Sequence, residues 1–312
     1  MKEKIRFAID YLKYSRYGAL FVPLAVYILL LLTNIINTLV LNGSNALILV
    51  FVPLSLLAPA AFWVYVREKK RYIPSLKLNL PQKEHLLPLL LSFVVLAAGS
   101  VLLEMLFSGS DYINFSLYNA FFVSRDRGFF DVFYILIAFA IIPAILEELL
   151  FRGILCAELE RGGVLCSVLI SSLFYSFIGF SFSMLPTCLF VGVMLSVVLY
   201  ATRSIFCAVI LHILYNVFAI FALPSLVAIK DVSANHELFV FLVLILAVGA
   251  LILLCLQLSK LYRLYSVKQE SLAETRSMPL YRTAHDMAEA LLSPFAICSI
   301  VIFLVASIIL II

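Results

Sequence analysis

The chain has 312 residues, of which 64% are hydrophobic and 13% are charged, with a net charge of +4. A soluble domain is roughly 45–50% apolar and about 25% charged, so this composition excludes an ordinary soluble enzyme. It predicts an all-α fold, a polytopic transmembrane helical bundle. The modest positive charge comes from basic residues beside the hydrophobic segments and gives no indication of nucleic-acid binding.

Hydrophobic runs of about the length needed to cross a bilayer recur along the whole chain. We predict nine transmembrane helices from them. They lie near residues 19–41, 46–66, 87–107, 130–151, 163–182, 185–201, 204–223, 238–258 and 294–312.

The basic residues are distributed unevenly between the two sides of this arrangement. If the N-terminus is cytoplasmic, 18 of the 22 Lys and Arg residues fall in cytoplasmic segments. The positive-inside rule therefore predicts a cytoplasmic N-terminus and an outside C-terminus. The sequence resembles no organelle signal, and we expect a bacterial inner membrane. The basic cytoplasmic segments are 1–18, 67–86, 158–162, 202–203 and 259–293.

Two polar stretches divide the chain into three predicted regions. Residues 1–86 hold a basic interfacial helix and a two-span hairpin with its cytoplasmic loop. Residues 87–223 form a core of short-looped spans, and 224–312 hold the C-terminal spans with a polar segment and a surface helix near 284–292. The six cysteines are scattered without CxxC spacing, so they are interpreted as membrane-core residues and not as disulfides or zinc ligands.

An acidic pair followed by an arginine interrupts the fourth hydrophobic run, at Glu147, Glu148 and Arg152. Each ionised side chain costs about 2.5–3.5 kcal/mol near the bilayer centre, so three of them require a reason. Glu148 and Arg152 are i,i+4 neighbours and are predicted to form an ion pair. Glu147 lies about 100° further around the helix, where a carboxylate facing a bundle interior is suited to act as a general base on water. The alternative is a cluster at a helix end that extends to the interface.

Pro143 lies one turn before the glutamates. A proline inside a helix removes one backbone hydrogen bond and kinks the helix. Such a kink either helps to open a water-filled pocket beside the glutamates or only affects how the helix packs against its neighbours.

A second polar pair lies in the seventh hydrophobic run, at His212 and Asn216. The i,i+4 spacing places the imidazole and the carboxamide on one helix face. Both groups can donate hydrogen bonds to an oxygen that develops negative charge. They can equally form an interhelical hydrogen-bond clamp. We predict that both residues converge with Glu147, Glu148 and Arg152 in one polar pocket.

Glu-Glu-x-x-x-Arg on one span and His-x-x-x-Asn on a later span resemble the CPBP intramembrane proteases, which include the type II CAAX prenyl endopeptidases and bacteriocin-processing proteins. Thr202-Arg203-Ser204 stands where that family usually has Thr-Gly-Ser. The resemblance covers about residues 140–220. It implies that Glu147 is the general base, that Arg152 holds Glu148 as an orienting residue, and that His212 and Asn216 stabilise the oxyanion.

The family has a further motif, Phe-x-x-x-His, between these two. Alignment on Ser171-Ser172 places Tyr175 at the phenylalanine position and Gly179 at the histidine position. A shift by one residue places Phe174 and Ile178 there instead, so the motif is degenerate in either alignment. The resemblance implies a divalent metal such as zinc, but Glu147 and His212 would be its only available ligands here and make a poor zinc site.

Three functions remain open at this stage. The first is an intramembrane endopeptidase that cleaves a membrane-embedded peptide or protein substrate. The second is a non-catalytic member of the same fold, a membrane scaffold or binding protein, which the missing histidine favours. The third is a transporter or channel with a proton relay, against which the absence of inverted repeats argues. Persistence of the five polar residues favours the endopeptidase.

Overall fold

The computed structural model describes residues 15–36, 50–68, 76–107, 129–229, 236–268 and 280–311. Within these residues the fold is all-α, as predicted, and the single β-type pairing is an isolated bridge between Leu78 and Ser204. Long apolar segments adopt helices because lipid offers no partner for backbone N–H and C=O groups, and a helix satisfies them internally.

Eleven helices carry the described fold and are numbered here in chain order. They are α1 (Phe21–Ile36), α2 (Val52–Glu68), α3 (Leu86–Phe107), α4 (129–159), α5 (Val164–Ser176), α6 (Leu185–Thr202), α7 (Ile205–Phe221), α8 (Leu223–Val227), α9 (His236–Lys268), α10 (Leu280–Leu291) and α11 (Pro294–Ile311).

Five described helices are long and apolar enough to cross a membrane. A sixth span results if Tyr281–Leu291 and Pro294–Ile309, which are bent by 65°, are taken together. The predicted number of nine is not confirmed, because the remaining three apolar helices fall short of that length. These shorter helices are Val52–Arg67, Val164–Gly179 and Ile205–Phe221.

Helix α4 is interrupted by two wide turns. The segments Leu136–Ile141 and Glu148–Leu155 are π-helical, and they flank the α-helical turn Ile142–Glu147 that contains Pro143. The backbone N–H groups of Ile142 and Cys156 accordingly bond to carbonyls five residues earlier. Such π-segments occur frequently at functional sites, and one of them carries Glu148 and Arg152.

Packing within the described chain separates two compact units, and the division falls between Ala144 and Ile145 of α4. Unit 1 comprises residues 1–76, 145–181 and 278–312, and unit 2 comprises 77–144 and 182–277. Each unit is assembled from non-consecutive segments, whereas the predicted regions 1–86, 87–223 and 224–312 follow chain order. That predicted division stays a prediction.

Unit 1 is built around the second π-segment of α4. Helices α2 and α5 both pack against Glu148–Leu155, while α1 packs against α2 and α11. A helix is present near 284–292 as α10, which packs against α5, and its place at the membrane surface stays a prediction. The interfacial helix predicted for residues 1–18 lies outside the described residues up to residue 14.

Unit 2 is built around α3. Helices α6, α7 and α9 pack against α3, and α7 also packs against the first π-segment, Leu136–Ile141. Ser204 caps the N-terminus of α7 by accepting a hydrogen bond from the backbone N–H of Cys207 at 3.4 Å. Helix α9 has 33 residues, about 50 Å at 1.5 Å per residue, so it is longer than a bilayer core is thick.

Candidate active site

Glu148 and Arg152 form the predicted ion pair. Nη1 of Arg152 lies 3.0 Å from Oε1 of Glu148, and neither side chain is exposed. Two charges can be buried to this degree only when they compensate one another. The i,i+4 prediction is therefore confirmed, although the local turn is π-helical and not α-helical.

Tyr175 gives Arg152 a second partner. The guanidinium carbon of Arg152 lies 4.4 Å from the centre of the Tyr175 ring, a cation–π distance. The ring of Phe151 meets Tyr175 edge-on, with centroids 5.6 Å apart. The first position of the degenerate motif therefore lies directly against the glutamate motif. Sequence reasoning gave no signal for this contact, because 23 residues separate the two partners.

Two adjacent serines lie one turn before Tyr175, and the first of them connects α5 to α4. Ser171 and Ser172 are fully buried, and the thiol of Cys156 donates to Oγ of Ser171 at 3.1 Å. Oγ of Ser172 donates to the carbonyl of Val168 at 2.6 Å. These hydrogen bonds satisfy the hydroxyls locally and fix the helix that presents Tyr175.

Gly179 lies beyond the α-helix that carries Tyr175. Helix α5 ends at Ser176, and Phe177–Gly179 forms a 3₁₀ turn that leads into Phe180, whose φ of 44° is left-handed. Gly179 is only half-buried. The i,i+4 relation between Tyr175 and Gly179 is therefore not that of one continuous α-helix.

The two glutamates differ in exposure. Glu148 is 0% exposed, whereas Glu147 is half-buried. Arg152 engages Glu148, so Glu147 is the more exposed carboxylate of the pair and the one outside that ion pair. This difference matches the separate roles that the resemblance implies for them.

His212 and Asn216 lie on α7 in unit 2. His212 is 1% exposed, and Asn216 is half-buried. The side-chain amide of Asn216 donates to the carbonyl of Ala140 at 3.3 Å, within the π-segment that precedes Pro143. Asn216 thus forms an interhelical hydrogen bond of the kind offered as the alternative to an oxyanion role.

The structure therefore brings Glu148, Arg152 and Tyr175 together in unit 1, and it places His212 and Asn216 one turn apart in unit 2. Glu147 and Gly179 belong to unit 1. The convergence of all five predicted catalytic residues in one pocket stays a prediction, as do their catalytic roles.

The donor set does not fit a catalytic zinc ion, which takes three protein ligands. Arg152 engages Glu148, so Glu147 and His212 are too few. Among the described residues, the group of three potential ligands close enough for a metal is His285, Asp286 and Glu289, none of them predicted for the site. Arg16 lies 2.9 Å from Asp286 and 2.8 Å from Glu289, so a cation already pairs with both carboxylates of that group.

A second buried ion pair in unit 1 was missed by sequence reasoning. Nη2 of Arg67 lies 2.6 Å from Oε2 of Glu158, and their side chains are 7% and 2% exposed. The guanidinium carbon of Arg67 also lies 4.8 Å from the Trp63 ring. Both charged residues had been assigned to cytoplasmic loops, and a separation of 91 residues offers no local signal for their pairing.

One known protein family matches the part of the chain that carries these motifs. Residues 129–218 match the family model described as Type II CAAX prenyl endopeptidase Rce1-like. The segment contains all seven residues that the motifs single out, and the resemblance inferred from them is confirmed there. Together with the apolar helices, the match indicates an integral membrane protein. No curated protein and no solved structure matches the chain.

Proposed function

We propose that the protein is an intramembrane endopeptidase that hydrolyses a peptide bond of a membrane-associated peptide or protein with water activated by Glu147. The observation that carries the proposal is the buried cluster of Glu148, Arg152 and Tyr175 within the segment that matches the protease family. Two buried charges are costly to maintain in a helix that serves only packing. The presence of this buried ion pair beside Glu147, the more exposed carboxylate, therefore favours a catalytic function.

The proposed reaction needs one proton acceptor and one oxyanion site. Glu147 removes a proton from water as the oxygen attacks the scissile carbonyl carbon, and His212 and Asn216 donate hydrogen bonds to the oxyanion that forms. When the C–N bond breaks, Glu147 returns the proton to the leaving nitrogen, which gives a carboxylic acid and an amine. Arg152 acts through Glu148 and is a positioning residue.

The proposed setting is a bacterial inner membrane with a cytoplasmic N-terminus. The substrate is a membrane-embedded or membrane-associated peptide, and the proposal requires neither a prenyl group nor a metal.

A scaffold that binds such a peptide without cleaving it is the second candidate. Two observations favour it: Gly179 supplies no imidazole, and the amide of Asn216 is engaged by the Ala140 carbonyl. Loss of one positioned acid–base group costs about 10²–10⁴-fold in rate, so a scaffold could evolve from the protease by this single change.

The deciding experiment compares wild type with Glu147→Gln after purification in lipid. Both forms are incubated with a panel of transmembrane and amphipathic peptides, and mass spectrometry detects the products. We expect cleavage by wild type and a loss of at least about 100-fold in Glu147→Gln, because the amide cannot accept the proton.

Glu237→Gln serves as the charge-matched control, since Glu237 is exposed in the first turn of α9 and belongs to none of the motifs. This control should cleave at the wild-type rate. Equal cleavage by Glu147→Gln and wild type would refute the proposed base, and binding of a peptide without cleavage by either form would favour the scaffold.

A further inference from the structure

An open cavity of about 430 Å³ lies in unit 2, outside the segment that carries the glutamates. Three helix ends surround it: the start of α3, the end of α6 and the part of α9 beyond the predicted span. Its polar lining consists of hydroxyl, amide, imidazole and guanidinium groups, and its apolar lining of two leucines and a proline. The lining residues are Leu78, Asn79, Leu80, Pro81, Gln82, His85, Thr202, Arg203 and Tyr265.

Two cationic residues, one lining the cavity and one next to its lining in sequence, have a left-handed backbone conformation. Arg203, which lines it, has φ 53°, and Lys77, which adjoins it, has φ 49°. This region favours glycine, and a side chain there is uncommon. The two residues are connected, since the backbone N–H of Ile205 donates to the carbonyl of Lys77 at 3.1 Å and Asn79 donates to the carbonyl of Arg203 at 2.7 Å.

Each cation lies over an aromatic ring, and one of the two rings, that of Tyr265, lines the cavity. The guanidinium carbon of Arg203 lies 5.1 Å from the centre of the Tyr265 ring, and Nζ of Lys77 lies 4.7 Å from that of Tyr200. Tyr265 is positioned in turn by a hydrogen bond with Nε2 of His85. Nδ1 of His85 accepts from the backbone N–H of Gln82 at 3.2 Å, so Nε2 is the protonated nitrogen and donates to the tyrosine oxygen.

The cavity lies where the apolar helices meet the polar segments. Lys83–Phe107 begins beside it, Leu185–Thr202 ends at it, and the candidate span His236–Tyr265 ends with its Tyr265. The two leucines that line it, which we call the rim leucines, are strongly exposed: Leu78 is 58% exposed and Leu80 75%. Exposed apolar side chains next to basic groups are the arrangement that a membrane interface accommodates.

We propose that this cavity binds the phosphate of an anionic phospholipid, with Arg203 and Lys77 as the cationic partners and the rim leucines against the acyl chains. Basic pockets between membrane helices are suited to lipid headgroups, and Arg offers a planar fork to phosphate oxygens. The phosphate chemistry is shared with soluble phosphate esters, and the leucine rim favours the lipid.

The test measures lipid retention by native mass spectrometry of the full chain in neutral detergent. Phosphatidylglycerol and phosphatidylcholine are titrated separately, and inorganic phosphate forms a third arm. Arg203→Gly is the informative variant, since glycine suits a φ of 53° and removes the cation without straining the backbone. Lys77→Gly applies the same reasoning to the second cation.

We expect wild type to bind phosphatidylglycerol at least tenfold more tightly than phosphatidylcholine, and Arg203→Gly and Lys77→Gly each to lose most of that preference. Arg203→Lys, which keeps the charge without the fork, should be intermediate. Arg282→Gln removes an exposed charge of α10 outside the cavity lining and should behave as wild type. The thermal midpoint of Arg203→Gly in phosphatidylcholine should not fall below that of wild type.

Retention of the phosphatidylglycerol preference by both glycine variants would overturn the proposal, and so would equal binding of the two lipids by wild type. Binding of inorganic phosphate with no retention of phosphatidylglycerol would overturn the lipid assignment in favour of a soluble phosphate ester.

Discussion

Arg152 is held on two sides by groups of different chemistry. The carboxylate of Glu148 neutralises its charge, and the face of Tyr175 covers its guanidinium plane. A cation–π contact contributes about 0.5–1 kcal/mol at exposed sites and about 2 kcal/mol when it is desolvated, as it is here. The aromatic ring therefore stabilises the buried arginine without adding a second carboxylate.

Substitution of Tyr175 tests this contact. Tyr175→Phe keeps a ring over the guanidinium and should retain most of the stability, whereas Tyr175→Leu should lose about 2 kcal/mol of the free energy of unfolding, since an aliphatic side chain has no quadrupole. The midpoints of thermal unfolding of the purified variants give the comparison. Equal midpoints for the two variants would show that the aromatic ring does not stabilise the buried guanidinium.

Gly179 allows the missing histidine to be restored. Among the described glycines only Gly163 has a left-handed φ, of 97°, so the backbone at Gly179 tolerates a side chain. Gly179→His should create or raise endopeptidase activity by holding the attacking water, and a Glu147→Gln background should abolish the gain. Product formation from membrane peptides measures both effects.

Gly179→Ala is the control for the bulk of the side chain and should leave the rate unchanged. Rapid cleavage by wild type, with impairment in Gly179→His, would show that the assigned alignment or the role of this position is wrong.

Prediction at the residue scale succeeded where partners are close in sequence. The pair Glu148–Arg152 follows from helical spacing alone. The contact of Arg152 with Tyr175 depends on how α5 packs against α4, and no periodicity within either helix encodes it. The same limit applies to Asn216, whose hydrogen bond to Ala140 was foreseen only as a class of interaction.

At the scale of elements, the buried pair of Arg67 and Glu158 connects α2 to the end of α4. Breaking a buried ion pair leaves one charge uncompensated and costs about 3–5 kcal/mol. Glu158→Gln should therefore lower the free energy of unfolding by about that amount, measured by denaturant titration or by thermal midpoint.

The double variant Arg67→Met with Glu158→Leu should recover most of the loss, because replacing both charges by apolar groups removes the uncompensated one. A double variant as unstable as Glu158→Gln would show that shape and not charge sets the cost.

The apolar runs predict where helices occur, but they do not predict where each helix ends or which of its turns are π-helical. The run near 238–258 predicts a span, yet α9 continues to Lys268 because polar side chains at a helix end are solvated without breaking the backbone hydrogen bonds. The π-segments of α4 also had no signature in composition. Pro143 marks the region, but a proline does not specify whether the neighbouring turns are tight or wide.

At the scale of the whole molecule, the assembly of each unit from distant segments lies beyond any local pattern. Among the described residues, 145–181 pack in one unit with segments from the N-terminal and C-terminal parts of the chain, while those of 182–277 pack with those of 77–144. Changes in composition along the chain predict regions that follow one another in sequence. They reflect the polarity of each segment and carry no information about which segments pack together.

Orientation in the membrane is the whole-molecule property that the sequence does predict. Reporter fusions at residues 75 and 275, both outside the described residues, should read cytoplasmic because 18 of 22 basic residues fall on that predicted side. A phosphatase reporter that is active only outside and a fluorescent reporter that is active only inside give complementary readings. Opposite readings at the two sites would exclude the predicted orientation.

The wide turns of α4 also determine how this span responds to a change in chain length. In Leu136–Ile141 the backbone donor of Ile142 reaches back five residues to Ile137, one more than an α-helical turn requires. Deletion of one residue there should restore α-helical spacing and leave the helix continuous. The wide turn would absorb the deletion, so the side chains before and after it would keep nearly the same relative facing. Deletion of one residue in the α-helical turn Ile142–Glu147 would instead rotate the side chains before it by about 100° relative to those after it. The same change in length would thus be tolerated in one turn of this span and not in the next.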